Sequence, residues 1–584
     1  MADNHDERQE DLQHIRHSLA HALAAAVLEL YPHAKPTIGP ATDTGFYYDF
    51  DFGESNGVSE DDLPAIEKKM REVLKSWDSF DGAEVSVEEA KERFQNNPYK
   101  LELIDEISAA NEKITFYTSG TFTDLCRGGH VESAGDIDPR AFKLTSVAGA
   151  YWRGDEDKQM LTRIYGLAFR TKQELSEHLT QLQEAAKRDH RKLGRELDLF
   201  TFSDLVGPGL PLFTPKGAAM RNAIIDKIYA IQKPFGYQEV WIPHITKPDL
   251  YKTSGHWEKF GDELFKVHGK ESEFVMKPMN CPHHTQIYAS SARSYRDLPV
   301  RFVEATTNYR DEQTGELLGL SRVRSLTQDD GHIFCTPEQI EGEIENIMEV
   351  VKEFYTSLGM YTQGNYRVFL SVRDPNTPEK YLGDPAHWDE AEQTLKGIAE
   401  KRRLPYVVEE GEAAFYGPKL DFMFKDAIGR EWQLATIQLD FVMPGRFELE
   451  YTAEDGSRKT PVMIHRAIAG SLERFLSVII EHFAGAFPAW LAPIQARVIP
   501  VNSEAHSEYA EQVRSQLESS AVRVDTDTSN ESLGKRIRLA KTEKIPYLLV
   551  VGDKEKESQT ANVESRDEGD LGAMSLQVLV ERIN

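Results

Sequence analysis

The residues best suited to chemistry in this 584-residue sequence begin with a cysteine beside two histidines, in the stretch VMKPMNCPHH. Cys281 is one of only three cysteines and has no CxxC partner nearby. On that ground alone a packed thiol is the better interpretation. A nucleophile, or one ligand of a site completed by distant residues, stays open until other polar segments are considered.

A second polar segment is RVRSLTQDDGHIFC, residues 322–335. If it is a strand, alternate residues share one face. That face carries Arg322, Arg324, Gln328, Asp330 and His332. An exposed edge strand could explain any one of them, but the set favours the wall of a pocket. Arginine suits phosphate, carboxylate and amide suit an amine or hydroxyl, and imidazole suits a metal or proton transfer.

A third segment is VMIHRAIAGSLERFLSVIIEHF. Gly470 and Ser471 are predicted to precede a helix that carries Arg474 in its first turn. An anion bound there would also be stabilised by the helix dipole. His465 lies just before that turn.

The elements that must position these residues lie in regions that differ in composition and in the periodicity of their apolar residues. Apolar residues recur at helical spacing over 11–30, the segment 172–195 is a charged helix suited to linking domains, and the last ~90 residues alternate as βαβ. We predict a polar tail (1–10), an α+β domain (11–171), a linker helix (172–195), a large domain (196–493) and a C-terminal α/β domain (494–584).

Composition excludes several classes of protein. A formal charge of −28 argues against a nonspecific coat on nucleic acid but leaves a specific RNA partner open. The amino terminus is acidic and polar, without a signal peptide, and no run of ~18 apolar residues predicts a membrane span. Three cysteines cannot build a disulfide framework, so we expect a cytosolic protein.

Several long motifs resemble one enzyme family. ATTNYRDEQTGELLGLSRVRSLTQDDGHIFC and HRAIAGSLERF resemble motifs 2 and 3 of class II aminoacyl-tRNA synthetases, and GYQEVWIP resembles motif 1. KPMNCPHH, AFYGPKLDF, REWQLATIQLDF and PVMIHRAI are similar to the threonyl-tRNA synthetase family of the bacterial type, from about residue 11 to the end. The resemblance implies a multidomain α+β and α/β protein: an α+β editing domain, an antiparallel-sheet catalytic domain and an α/β anticodon-binding domain.

The resemblance also implies the partners and the residues of the catalytic site. Expected partners are ATP with Mg²⁺, L-threonine, threonine tRNA and a second copy of the chain. Cys281, His332 and His465 would hold one Zn²⁺ per chain and leave it an open position. The expected ATP-binding residues are Arg310, Glu312, Arg322, Arg324, Gln433 and Arg474, of which Arg310 and Arg474 are catalytic. The expected threonine-binding residues are Gln328, Asp330, Tyr416 and Gln438.

A second candidate site lies in the amino-terminal domain. His17 and His21 share a helix face at i, i+4 spacing, and FTDLCRGGH adds Cys126 and His130. Either pair alone is more typical of exposed polar residues, but together they could be a metal set. The resemblance to an editing domain shared with alanyl enzymes implies a pocket that hydrolyses seryl-tRNA by hydrogen bonding and water positioning. Its residues would be His17, His21, Lys100, Asp124, Cys126 and His130.

A third set belongs to the C-terminal domain. Asn530, Glu555 and Arg566 match the family's anticodon-binding positions, whereas Glu564 stands where arginine is common and is expected to turn away from RNA. Four other departures are interpreted as packing variation: Tyr309, Asp311, His283 and Leu434 replace the usual His, Asn, Gly and Cys. The first helix is predicted to begin close to Met1, so we expect the family's ubiquitin-like TGS domain to be absent before it.

Two other functions are less consistent with the sequence. A related class II enzyme of the prolyl or seryl type is disfavoured by the three expected zinc ligands and by the editing residues. A catalytically silent tRNA-binding regulator would be expected to lose Arg310, Arg474 or a zinc ligand, and this sequence keeps them all.

Overall fold

The computed structural model describes residues 3–53 and 57–583 and divides into two compact units, Met1–Gln183 and Glu184–Asn584. The boundary falls within one helix, Lys172–Arg188. Among the described residues, no helix has the length and apolar character needed to cross a membrane.

The first unit combines helices with two antiparallel sheets. Its helices are α1 (Asp3–Leu30), α2 (Leu63–Ser76), α3 (Val87–Arg93), α4 (Pro98–Ala109) and α5 (Lys172–Arg188). Its strands are β1 (Lys35–Pro36), β2 (Gly45–Asp51), β3 (Asp81–Val85), β4 (Ile114–Ser119), β5 (Phe122–Leu125), β6 (Phe142–Tyr151) and β7 (Met160–Ala168). The sheets have the orders β1-β2-β7-β6 and β3-β4-β5.

Helix α1 organises the core of this unit. Its apolar residues Ile15, Leu19, Leu23 and Val27 are buried, as their helical spacing predicted. The helix begins at Asp3 rather than at the predicted residue 11. The preceding charged residues, DERQE, lack apolar periodicity but include good helix formers, so the helix extends through them.

The second unit contains the remaining elements. Its helices are α6 (His190–Glu196), α7 (Pro215–Gln232), α8 (Pro248–Ser254), α9 (His256–Phe260), α10 (Cys281–Ala289), α11 (Ile340–Ser357), α12 (Pro385–Lys401), α13 (Met443–Arg446), α14 (Leu472–Phe483), α15 (Ser507–Ser519), α16 (Leu533–Thr542), α17 (Asp553–Ser558) and α18 (Leu576–Ile583). Its first ten strands are β8 (Phe200–Thr201), β9 (Leu212–Phe213), β10 (Gln238–Glu239), β11 (Ile245–Thr246), β12 (Lys266–His268), β13 (Glu273–Met276), β14 (Val300–Tyr309), β15 (Ser325–Cys335), β16 (Tyr366–Val372) and β17 (Tyr406–Glu410). The others are β18 (Lys419–Lys425), β19 (Glu431–Asp440), β20 (Tyr451–Thr452), β21 (Arg458–Lys459), β22 (Val462–Ala467), β23 (Ala496–Pro500), β24 (Val524–Thr526), β25 (Tyr547–Val551), β26 (Ala561–Ser565) and β27 (Gly569–Met574).

An eight-stranded sheet is the platform of the second unit. Its order is β10-β14-β15-β22-β19-β18-β16-β17, and its central strands pair antiparallel. Strand β15 lies inside the sheet, which excludes the alternative of an exposed edge strand. The register places His332 opposite His465 and His465 opposite Gln438. Residues that face each other across strands lie on the same side of a sheet, so these three side chains form a row.

Two predicted elements have different bounds in the structure. Strand β15 begins at Ser325, so Arg322 and Arg324 precede it and do not continue its polar face, contrary to the prediction. Arg322 pairs with Leu318 across a tight turn in which Gly319 has a φ of 50°, and Arg324 lies in a bend that follows. The predicted linker helix is two helices, α5 and α6, separated at Asp189, whose side chain caps α6 by accepting from the backbone N–H of Arg191 at 2.8 Å.

The C-terminal residues form a five-stranded sheet of order β24-β23-β25-β26-β27. Its first three strands are parallel and alternate with helices, which confirms the predicted βαβ arrangement. The antiparallel strands β26 and β27 extend it. The sequence did not predict this pair because both strands are short and contain polar residues, and β27 also contains two glycines.

Candidate functional site

Three side chains with metal-type donors converge in the second unit. Cys281 begins α10, His332 lies in β15 and His465 lies in β22. All three are buried, and their donor atoms lie within 4.8 Å of one another. A tetrahedral zinc ion needs such donors about 3.3–3.6 Å apart, which lies within this limit. One thiolate and two imidazoles fit zinc in donor chemistry as well.

Burial controls the protonation of these donors. It raises the pKa of the Cys281 thiol well above its usual value and lowers the pKa of His332 well below its own. The ring of His332 is therefore neutral, as a ligand must be, whereas the thiol would lose its proton on binding a metal. Asp440, fully buried, lies 2.9 Å from Nε2 of His465 and fixes the orientation of that ring.

His332 and His465 line a cavity of about 320 Å³. Nine of the residues predicted for the catalytic site line it: Arg310, Gln328, Asp330, His332, Tyr416, Gln433, Gln438, His465 and Arg474. They come from five strands or their flanks and from the first turn of α14. The sheet register therefore brings together residues that are up to 164 positions apart in the sequence, from Arg310 to Arg474.

The polar wall of the cavity is held by hydrogen bonds. Asp330 is buried, and its Oδ2 accepts from Nδ2 of Asn280 at 3.0 Å. Burial raises the pKa of this carboxyl group. Gln328 accepts from Asn308 at 3.0 Å, and Nε2 of Gln438 donates to the carbonyl of Gly417 at 3.1 Å. Fixed oxygens and amides of this kind suit a small ligand with an ammonium and a hydroxyl group.

Two arginines give the cavity its cationic side. The guanidinium of Arg310 lies 4.9 Å from the ring centroid of Phe260, and its buried Nε has no hydrogen-bond partner among the described residues. Burial lowers the pKa of Arg310. Arg474 is exposed in the first turn of α14, and its backbone N–H donates to Ser471 Oγ at 3.4 Å. The unused Nε–H of Arg310 and the guanidinium of Arg474, at a helix amino terminus, suit phosphate oxygens.

Three predicted ATP-binding residues stand apart from the cavity lining. Nε of Arg322 donates to the carboxylate of Glu312 at 2.8 Å, and Arg324 donates to the carbonyl of Glu312 at 2.8 and 3.0 Å. The three residues form a small network of their own, in the loop between β14 and β15.

The first unit brings His17, His21, Cys126 and His130 together, with donor atoms within 4.8 Å. Sγ of Cys126 lies 3.5 Å from Nε2 of His17 and 3.2 Å from Nε2 of His130. Burial raises the pKa of Cys126 to about 11 and lowers that of His130 to about 2. Burial also lowers the pKa of His17 and, more strongly, that of His21. The cluster is therefore uncharged at neutral pH.

Lys100 and Asp124 form a buried ion pair in the same unit. Nζ lies 2.6 Å from Oδ1 of Asp124, and both side chains are at most 3% exposed. The hydroxyl of Tyr48 donates to Oδ2 of Asp124 at 2.5 Å and accepts from Lys100 at 3.3 Å. Lys100, Asp124 and Tyr48 therefore hold one another in place. Asp124 also interacts electrostatically with His17, Cys126 and His130.

The predicted anticodon residues lie at separate places in the C-terminal region. Asn530 is exposed, and the Glu555 carboxylate accepts from the backbone N–H of Gly552 at 2.9 Å. The guanidinium of Arg566 donates to Asp567 at 2.9 Å and to the carbonyl of Lys544 at 3.0 Å. Glu564 pairs with Lys541 at 2.6 Å.

The four departures from the family pattern have different surroundings. His283 is buried and neither ring nitrogen has a partner among the described residues. Tyr309 contacts Nδ1 of His244 at 3.0 Å, and Asp311 lies 3.4 Å from Arg324. Leu434 lies at the irregularity between β18 and β19 and lines the cavity.

Sequence reasoning missed several residues that support the sites. His256 is buried with Nε2 3.7 Å from Sγ of Cys281, Asn280 holds Asp330, and Tyr48 holds Asp124. Asn280 directly precedes Cys281 in the stretch VMKPMNCPHH, so its position offered a signal. His256 and Tyr48 carry no local signal, because only the tertiary fold brings them to their partners.

Family models match most of this architecture. Residues 265–483 match the tRNA synthetase class II core domain (G, H, P, S and T), and residues 495–584 match an anticodon binding domain. Residues 114–165 match the threonyl and alanyl tRNA synthetase second additional domain.

Curated relatives align over almost the whole chain. The threonine–tRNA ligase of Rubrobacter xylanophilus is 51% identical over 578 residues, covering 98% of this chain and 89% of its own. The threonine–tRNA ligase of Thermus thermophilus is 50% identical, with 97% and 87% covered.

Solved structures are similar to part of the chain. A structure described as the RNA binding domain of threonyl-tRNA synthetase from Cryptosporidium parvum has a TM-score of 0.64 and 38% identity, covering 68% of this chain and 97% of its own. Giardia lamblia prolyl-tRNA synthetase, at 18% identity and a TM-score of 0.52, covers 68% of this chain and 75% of its own and shares the fold alone.

Proposed function

The chain belongs to the threonine–tRNA ligase family, and we propose that it activates L-threonine with ATP and transfers the threonyl group to threonine tRNA. One observation carries the proposal: two imidazoles, a buried carboxylate and two arginines line one cavity, and the thiol of Cys281 lies within 4.8 Å of the imidazole donor atoms. The donors and Asp330 suit the amino and hydroxyl groups of threonine, and the arginines suit the phosphates of ATP.

Cys281, His332 and His465 would hold one Zn²⁺ per chain. When bound, zinc supplies a Lewis-acid position that takes up the amino and hydroxyl groups of the substrate. Gln328, Asp330, Tyr416 and Gln438 surround the amino acid and exclude water from it. Valine matches threonine in shape but has no hydroxyl, and sites built around a hydroxyl reject its absence by about 10⁴-fold or more.

Activation joins a carboxylate oxygen of threonine to the α-phosphorus of ATP while the bond to the β-phosphate oxygen breaks and pyrophosphate leaves. No general base is needed, because the carboxylate is already ionised. Arg310 and Arg474 donate to phosphate oxygens whose charge grows in the transition state, and Mg²⁺ accompanies the ATP. Glu312, Arg322, Arg324 and Gln433 are proposed to bind the rest of the nucleotide. A hydroxyl at the 3′ end of the tRNA then attacks the threonyl carbonyl, and AMP leaves.

The first unit is proposed to hydrolyse seryl-tRNA. Serine keeps the hydroxyl and lacks only a methyl group, a difference of about 1–3 kcal/mol that allows about 10–200-fold discrimination. A second, hydrolytic site supplies the missing accuracy. The neutral imidazoles of His17, His21 and His130 can hydrogen-bond a water molecule and position it for attack, and the Lys100–Asp124 pair holds the pocket in place.

The other partners follow from the same proposal. Asn530, Glu555 and Arg566 would contact the anticodon of threonine tRNA. Strand β10 is an edge of the large sheet, and near it Trp241 is 76% exposed, so a second copy of the chain is proposed to cover this segment.

The domain bounds are proposed as 11–171 for editing, 172–195 for the linker, 196–493 for catalysis and 494–584 for the anticodon. We place the protein in the cytosol.

ATP–pyrophosphate exchange with threonine, serine and valine in parallel tests the activation reaction. Exchange should be fast with threonine, measurable with serine and barely detectable with valine. Cys281→Ala should lose zinc, measured by elemental analysis, together with exchange. Full activity in zinc-free protein would refute the zinc proposal, and no exchange with any amino acid would favour the silent regulator.

The editing proposal has its own test. The double variant His17→Ala, His21→Ala should charge threonine normally while seryl-tRNA accumulates, because the two functions use separate groups. His33→Ala removes an exposed imidazole of the same unit and serves as the matched control. If the double variant accumulates no seryl-tRNA, the first unit is not the editing site.

A further inference from the structure

A histidine outside the metal-type donor set makes a close contact with one of its rings. His284 lies in the first turn of α10, and its Nδ1 is 2.8 Å from Nδ1 of His332. Both side chains are fully buried, at 0% and 1% exposure. Two nitrogens at this distance share one hydrogen, so one ring donates and the other accepts. Nδ1 of His332 is thereby occupied, and its Nε2 is the nitrogen left for a metal.

A buried carboxylate lies on the other side of His284. Oε2 of Glu304, in β14, is 3.9 Å from Nε2 of His284. Both atoms are buried and neither has a hydrogen-bond partner among the described residues. The other oxygen of Glu304 accepts from the backbone N–H of Ile242 at 3.1 Å, which holds the carboxylate in place.

The direction of the hydrogen bonds follows from these contacts. The Glu304 oxygen is too far from Nε2 of His284 for a hydrogen bond, but an acceptor on that side favours the His284 tautomer with its hydrogen on Nε2. Nδ1 of His284 is then the acceptor, and Nδ1 of His332 carries the hydrogen that it donates. The ring of His332 is left with a lone pair on Nε2, 3.6 Å from Oδ1 of the cavity residue Asp330.

We infer that His284 and Glu304 are positioning residues that fix the ring and the tautomer of His332 for metal binding. The inference rests on the metal site of the proposed function. Partners that orient a metal-bound histidine typically change metal affinity by about 10–100-fold when they are removed. Neither residue lines the cavity itself, so their effect passes through His332, which does.

The test compares four full-length variants for Zn²⁺ affinity, measured by competition with a chromophoric chelator. His284→Ala should lower the affinity by about 10–100-fold. His284→Asn keeps an oxygen that can accept the same hydrogen from His332 and should restore most of it. His283→Ala, the matched control, removes the neighbouring buried imidazole, which has no partner among the described residues, and should leave the affinity unchanged. Cys281→Ala should abolish binding.

A spectroscopic measurement separates positioning from packing. In the cobalt-substituted protein, His284→Ala should shift the visible d–d bands even when cobalt saturates the site, and His284→Asn should return them towards those of the wild type. Unchanged affinity in His284→Ala, or equal losses in the Ala and Asn variants, would overturn the inference while loss of zinc in Cys281→Ala leaves the proposed function standing. A wild-type protein that binds no zinc would overturn both.

Discussion

The histidine cluster of the first unit should make that unit unstable in acid, because burial keeps its rings neutral. The pKa of His130 is lowered to about 2, first by burial and then by the neighbouring His21 and His17. In the unfolded chain a histidine titrates near 6.5. As the pH falls below about 6.5, the unfolded state binds the proton and the folded state does not, so the folded state loses relative stability.

The size of this stability loss depends on the pH range over which the unfolded histidine is protonated and the folded one is not. Each pH unit below about 6.5 removes about 1.4 kcal/mol per such histidine. From pH 6.5 to 4.5 the folded pKa of His130 stays below this range, and because the unfolded histidine is already half protonated at pH 6.5 the loss is about 2.3 kcal/mol. Solvent reaches this half-buried ring and screens part of the effect, so we expect about 2 kcal/mol. The fully buried His21 acts in the same direction.

Hydrogen exchange measured by mass spectrometry can follow this loss in the full-length protein. Peptides from β4 and β5 report on the first unit at pH 6.5 and 4.5, after correction for intrinsic exchange rates. His130→Asn removes the titration, so its protection should fall between the two pH values by about 2 kcal/mol less than that of the wild type. His33→Asn, at an exposed position, is the control and should follow the wild type. If His130→Asn loses protection as steeply as the wild type, neutral burial of this ring is not the cause.

Three further predictions concern charged groups. Arg310→Gln removes a cation with an unused donor at the cavity and should slow ATP–pyrophosphate exchange by about 10²–10³-fold at unchanged zinc content; a rate near that of the wild type would remove Arg310 from the phosphate site. Lys100→Met leaves the Asp124 carboxylate buried without its cation and should destabilise the first unit by about 3 kcal/mol in hydrogen exchange, with pyrophosphate exchange intact; unchanged protection would contradict this. Arg566→Ala should raise the KM for threonine tRNA several-fold and leave pyrophosphate exchange alone, whereas unchanged charging, or an equal loss in both reactions, would exclude a role in anticodon binding.

The sequence predicted the parts of the catalytic site that depend on local pattern. Alternation along β15 correctly placed Gln328, Asp330 and His332 on one face, and the Gly470–Ser471 pair marked the start of α14. Alternation alone could not show where the strand begins, so Arg322 and Arg324 were wrongly placed on that face. In a sequence, a polar residue that precedes a strand cannot be distinguished from one inside it, because pairing with the neighbouring strand defines where the strand begins.

Contacts between distant segments were beyond local pattern. The pairs Tyr48–Asp124 and His284–His332 join residues 76 and 48 positions apart. No periodicity records such contacts, because they arise when packed elements meet. The grouping of Cys281 with His332 and His465 came from the family resemblance for the same reason, and the sheet register gives the His332–His465 pair a geometric basis.

The two histidine–cysteine clusters share donor types but differ in what surrounds them, and this difference predicts where zinc binds. In the second unit the carboxylate of Asp440 lies 2.9 Å from His465, the kind of partner that orients a ligand and raises its basicity. In the first unit the rings of His17 and His130 stack on each other at 4.3 Å, and the charge of Lys100 opposes a cation near His21. We therefore expect one zinc per chain, lost in Cys281→Ala and kept in Cys126→Ala. Elemental analysis showing two zinc ions in the wild type and one in each variant would refute this assignment.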